Sequence, residues 1–214
     1  MIGLIMFVLG GLAFGALAYN LRADGPLIAW DRALAATLPA MALKGPAYLK
    51  GLMAVGFYVG YRVLIGFGVL LGLFFIIKRC WQELAMVAMG LIGSTSIFLS
   101  LSNFFARVRP PTQIWIIEDI PGFPSGHAIA VVTFYGLLAY LLVPKMPSAF
   151  WKAVVVAAAL LLIGFVGFCR IFTGGHYLTD VLAGYALGIA WSGAVYTLIE
   201  LFCQRRRRKK ESVV

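Results

Sequence analysis

Six long apolar runs dominate this sequence, at residues 1–20, 59–77, 84–105, 126–143, 153–169 and 181–202. No water-soluble fold can bury that many. A helix that crosses a bilayer needs about 17–25 such residues, and in hydrocarbon its backbone must satisfy its own hydrogen bonds. Composition agrees. Of 214 residues, 62% are hydrophobic and 12% charged, and the mean hydropathy is +0.95. A soluble domain is about 45–50% apolar and about 25% charged. A disordered chain, a coiled coil and an ordinary soluble enzyme are therefore excluded. The expected fold is all-α: six transmembrane helices in one bundle (residues 1–204) followed by a basic tail (205–214).

The first run carries no charge, and Ala16-Leu17-Ala18 resembles a signal-peptidase site. A signal peptide has basic residues ahead of its apolar run, and none is present, so a retained transmembrane helix is expected. The second run is interrupted by Arg62, placing Tyr58, Tyr61 and Arg62 at the interface. Residues 22–50 are divided by Pro26, Pro39 and Pro46, while Leu27, Trp30, Leu34 and Leu38 recur at near-helical spacing. Short interfacial helices lying on the membrane are expected there. The glycine pairs Gly56/Gly60 and Gly184/Gly188 could allow close helix approach.

The net charge of +10 is unevenly distributed. Arg205 to Lys210 form a run directly after the last apolar segment, which reads as a cytoplasmic anchor beside anionic head groups and not as a nucleic-acid site. With that tail inside, six spans put both termini in the cytoplasm. Lys78, Arg79, Lys145 and Lys152 then fall on the same side, giving ten of the 18 basic residues inside. Cys80, Cys169 and Cys203 have no metal-ligand spacing and read as buried thiols.

Ionisable groups near spans rarely lack a purpose, and here they collect at three places on the outer side. Arg107 and Arg109 follow the third span. Pro124-Ser125-Gly126-His127 opens the fourth. Arg170 to Asp180 joins the fifth and sixth. The only histidines of the chain, His127 and His176, lie in these clusters. Three arginines make a pocket for a phosphate-like anion, and Ser125 and Gly126 at a helix start add N–H donors. Two histidines supply a nucleophile and a proton donor. Asp180, four residues after His176, can accept from one ring nitrogen and leave the other free to attack. Three arginines would repel a cation, so no metal is expected. Glu118 and Asp119 read as solvated loop charges.

These motifs resemble those of the type-2 phosphatidic acid phosphatase superfamily, which has Lys-x6-Arg-Pro, then Pro-Ser-Gly-His, then Ser-Arg-x5-His-x3-Asp. The second is intact at residues 124–127. The third is intact except for Cys169 in place of serine. The first keeps Arg109-Pro110 but has Ser102 at the lysine position. The resemblance runs from about Leu52 to Phe202 and implies a six-helix membrane phosphatase without metal or cofactor. It implies that His176 forms a phosphohistidine, that Asp180 orients it, and that His127 protonates the leaving oxygen and later activates water. Arg109, Arg170, Ser125 and the Gly126 N–H would hold the phosphoryl group. Arg107 is expected to stand in for the missing lysine.

The membrane setting suggests a lipid phosphate or diphosphate, of the undecaprenyl diphosphate, phosphatidylglycerol phosphate or phosphatidic acid type, met at the outer face of a bacterial cytoplasmic membrane. A phosphotransferase using the same intermediate, a sugar-phosphate phosphatase and a silent lipid-binding or translocating protein are the alternatives.

Overall fold

A computed structural model describes residues 1–111, 113–114 and 120–211, the side chains of 57–62 and 206–211 excepted. Glu118 and Asp119, and the side chains of Tyr58, Tyr61 and Arg62, lie outside the described residues. Among the described residues seven α-helices follow one another: α1 (Ile2–Arg22), α2 (Pro26–Lys44), α3 (Ala47–Ile77), α4 (Trp81–Phe105), α5 (Gly126–Leu142), α6 (Ala149–Phe172) and α7 (Leu178–Glu211), with a 3-10 turn (Val143–Lys145) after α5.

Five of the helices, α1, α4, α5 (with that turn), α6 and α7, are long and apolar enough to cross a membrane. The sixth expected span is different. In α3 the described apolar stretch is only Val63–Ile77, although the helix itself has 31 residues. Side chains such as Leu9, Leu12, Leu70, Ile92, Leu160 and Leu161 point outward, which suits a hydrocarbon solvent and not water. The basic run is no separate coil, because α7 continues through it to Glu211.

The interfacial segment also differs from expectation: it is one helix of 19 residues, not several short ones. Pro26 sits in its first turn, where a missing N–H costs nothing. Pro39 lies inside the helix, and Pro46 is the N-cap of α3. The buried face of α2 carries Ile28, Asp31, Pro39 and Ala42, while Trp30 is 64% exposed.

Small residues set the closest helix contacts. A Cβ on Gly10 would come 2.6 Å from the Ala186 carbonyl, which fixes α1 against α7. Cβ atoms on Gly184 and Gly188 would come 2.6 and 2.8 Å from the Cβ of Ala128 and Val132, so this pair seats α7 on α5. The core packs Leu64, Val131, Phe134 and Val166 in one layer and Phe75, Met86, Val87, Leu137 and Val195 in another. The α3 helix leans, meeting α6 at Gly56 and α4 at Gly68. The Met1 ammonium lies 3.7 Å from Glu200, so α1 begins beside the later part of α7. The α4–α5 and α6–α7 connections meet at the opposite end of the bundle.

Candidate active site

Helix ends supply most of this site. The α4 helix stops at Ala106, whose left-handed backbone (φ 48°) is the C-cap, its N–H donating to the Ser102 carbonyl, as helix C-termini commonly do. The chain then turns back, so that the Gly122 N–H donates to the Arg107 carbonyl at 2.8 Å. Phe123 is fully buried against Phe105 and Phe14, ring centroids 4.8 and 5.9 Å apart. Ser125 is the N-cap of α5, its hydroxyl accepting from the Ala128 N–H, the usual duty of serine at that position.

The α6–α7 turn is built on carbonyls. Cys169 O accepts from the Thr173 N–H and hydroxyl, and Arg170 O accepts from the N–H groups of Gly175 and His176. Gly174, at φ 71°, makes the left-handed bend, which a side chain would strain. Asp180, in the first turn of α7, reaches back to accept from the Tyr177 N–H at 2.9 Å, half of a capping box. Its own carbonyl accepts from the Ser125 N–H at 2.9 Å, stitching the α7 start to the α5 start.

His176 is held on both ring nitrogens. Nδ1 lies 2.9 Å from the Gly122 carbonyl and 3.6 Å from Asp180 Oδ2. Nε2 lies 3.0 Å from Arg109 Nη1. A carbonyl can only accept and a guanidinium can only donate, so Nδ1 carries the proton and Nε2 the lone pair. The nearer acceptor is thus Gly122, a backbone group that the residue pattern gave no reason to single out, with Asp180 behind it. Arg109 is fixed in turn by the Ile120 and Gly175 carbonyls, both at 2.7 Å.

His127, His176, Arg109 and Gly126 line one cavity of about 430 Å³, whose other walls include Ser94, Thr95, Phe98, Leu99, Ile120 and Ala130. Leu99 of α4, one of the wall residues, is 44% exposed on the outside of the bundle. A Cβ on Gly126 would sit 3.0 Å from the Phe98 ring. Ser125 and Arg170 are buried, the Arg170 guanidinium against Gly175.

Two positions of the first motif bond away from the cavity. Ser102 is fully buried and its hydroxyl donates to the Leu99 carbonyl of its own helix. Arg107 does not line the cavity either. Its guanidinium donates to Asp180 Oδ1, to Asp31 Oδ2 (2.8 Å) and to Thr179 Oγ1 (2.8 Å), and lies 4.2 Å over the Tyr177 ring. Two carboxylates with no exposed surface need a cation, and Arg107 meets that need. Burial acts against its charge, but Asp180 and Asp31 outweigh it and hold its pKa above the ordinary guanidinium value. Removing one partner of a buried ion pair costs about 3–5 kcal/mol. Arg107→Ala should therefore lower the unfolding temperature in detergent markedly, and an unchanged melting curve would contradict this bonding.

The sequence pattern passed over Asp31. It lies four residues after Leu27 and three before Leu34, a carboxylate beside the apolar stripe of its helix, and that placement was the available signal.

Comparison with known proteins bears on the family and the fold. The PAP2 superfamily model matches residues 83–202. Phosphatidylglycerophosphatase B of Bacillus subtilis is 30% identical over 162 residues, 74% of this chain and 73% of that one. Lipid A 1-phosphatase of Rhizobium johnstonii is 37% identical over 81 residues, 38% of this chain and 29% of that one. Among solved structures, the transmembrane PAP2 type phosphatidylglycerolphosphate phosphatase from Bacillus subtilis superposes with a TM-score of 0.73 at 25% identity, covering 95% of this chain and 96% of that one.

Proposed function

This chain belongs to the PAP2 superfamily, and from that premise we propose that it removes the terminal phosphate of a phosphatidylglycerol phosphate-type lipid through a phosphohistidine on His176. It is a multi-pass membrane phosphatase of a metal-independent family, similar to phosphatidylglycerophosphatase B. The observation that carries the finer reading is the convergence of both histidines and Arg109 on one largely apolar cavity whose wall includes the half-exposed Leu99 of α4. A lipid tail can stay in the bilayer there while the phosphate reaches Arg109.

In the first step the Nε2 lone pair attacks phosphorus, an N–P bond forms and the ester P–O bond breaks. His127 gives its proton to the departing alkoxide. The guanidinium N–H that faces Nε2 at 3.0 Å turns to the phosphoryl oxygens, where charge-assisted hydrogen bonds stabilise the transition state. In the second step His127 takes a proton from water, the hydroxyl attacks phosphorus, and N–P cleavage returns His176 and inorganic phosphate. The Gly122 carbonyl and Asp180 stabilise the positive ring of the intermediate from the Nδ1 side. The basic C-terminal end of α7 is read as cytoplasmic, which sets the cavity at the outer face.

Phosphate release from a panel of purified lipid phosphates in detergent tests the substrate. Phosphatidylglycerol phosphate should be cleaved with the highest kcat/KM, and a preference for diphosphates or sugar phosphates would refute that choice. Because arginine neutralises the phosphate, activity should persist in excess EDTA, and vanadate should inhibit as a transition-state mimic. Loss in EDTA with recovery on adding magnesium or zinc would show the site chemistry to be different.

A further inference from the structure

Asp31 is the acidic residue of α2 that no catalytic motif includes, yet its side chain has no exposed surface. It is bonded to the site at three points. Oδ1 accepts from the Thr179 N–H at 2.9 Å, Oδ2 accepts from the Thr179 hydroxyl, and Oδ2 also accepts from Arg107 Nη2 at 2.8 Å. The first of these caps an N-terminal N–H of α7 from another helix, work normally done by a residue next in sequence.

Arg107 is the hub to which Asp31 is tied. Its side chain holds Asp180, and its carbonyl holds the Gly122 N–H. Asp180 and the Gly122 carbonyl both face Nδ1 of His176. Arg107 thus touches both groups on the Nδ1 side of the ring, one through its guanidinium and one through its backbone, and Asp31 clamps the guanidinium from outside. We propose that Asp31 is a positioning residue of this active site: through Arg107 and Thr179 it keeps Asp180 and the Gly122 carbonyl on Nδ1, so that the Nε2 lone pair points at the phosphoryl group. The proposal rests on the phosphohistidine reading. It also gives α2 a task, since this helix turns Trp30 outward and Asp31 inward and so ties the reactive ring to the interfacial segment.

Asp31→Asn keeps the volume and removes the charge. Misplacing a reactive group by about 1 Å costs up to about 100-fold, so kcat should fall about 10- to 100-fold, with KM within about two-fold because no substrate contact is lost. In an Arg107→Gln background the guanidinium route is already gone and only the Thr179 bonds remain, so Asp31→Asn should cost a smaller factor than in the parent. A cap acting on α7 alone would cost the same factor in both backgrounds, which would overturn the proposal. Should Asp31→Asn fail to accumulate, Thr179→Val removes the bridging hydroxyl at nearly constant volume. It must then lower kcat in the same direction, and an unchanged kcat overturns the proposal.

A readout without turnover separates this idea from the function on which it rests. The chain has two histidines, so in His127→Ala protein the ring-nitrogen NMR spectrum reports His176 alone. Asp31→Asn should convert a single Nδ1-protonated form into a mixture, and an unchanged spectrum overturns the positioning role. If the parent protein hydrolyses no lipid phosphate at all, the phosphatase reading falls, while the spectrum still decides what Asp31 does.

Discussion

His176→Ala abolishes phosphate release. Removing a covalent nucleophile that works with a base costs on the order of 10⁶ in kcat elsewhere, which is below the floor of a detergent assay. His127, the remaining histidine, also lines the cavity, and the proposed mechanism assigns it to the leaving group. The variant should stay folded, because the α7 start is held by bonds that do not involve the ring, namely Tyr177 N–H to Asp180 and Thr179 N–H to Asp31. The His176 backbone N–H still reaches the Arg170 carbonyl. Activity near the parent level in a monodisperse preparation would remove His176 from the mechanism.

His127→Ala slows turnover by about 10²–10⁴, the usual contribution of a positioned acid–base group. The size of the loss should depend on the leaving group. An alkyl alkoxide needs its proton in the transition state, whereas p-nitrophenolate leaves without one. The variant should therefore lose much less on p-nitrophenyl phosphate than on a lipid phosphate in the phosphorylation step, as read from the pre-steady-state burst. An equal loss on both would mean that His127 binds the phosphoryl group and does not protonate the leaving oxygen.

The sequence made the membrane helices legible because apolar runs of that length have one solvent available to them. The run at 126–143 became α5 at Gly126–Leu142, and the run at 84–105 became α4 at Trp81–Phe105. The first part of α3 was not legible. A helix that begins at Ala47, well before the apolar run, carries Lys50 in its extension and Arg62 near the start of the run, and hydropathy alone ends such a helix too soon. Pro39 likewise suggested a break where α2 continues.

At the site, His127, His176, Arg109 and Gly126 were readable from spacing and do meet in one cavity. What spacing cannot show is which backbone carbonyl faces a ring, and so Gly122 went unremarked. Nor does it show that Arg107, two residues from Arg109, turns the other way. That depends on where α2 brings a second carboxylate, a contact across 76 positions of sequence.

The central claim is that a phosphoryl group passes through His176. The direct measurement is to mix the purified protein with phosphatidylglycerol phosphate radiolabelled in its terminal phosphate, quench in base within the burst, and map the label. The account predicts an alkali-stable, acid-labile phosphohistidine on the peptide that contains His176, present in His127→Ala protein and absent from His176→Ala protein. Phosphate release with no labelled protein, or label on the His127 peptide, would contradict it.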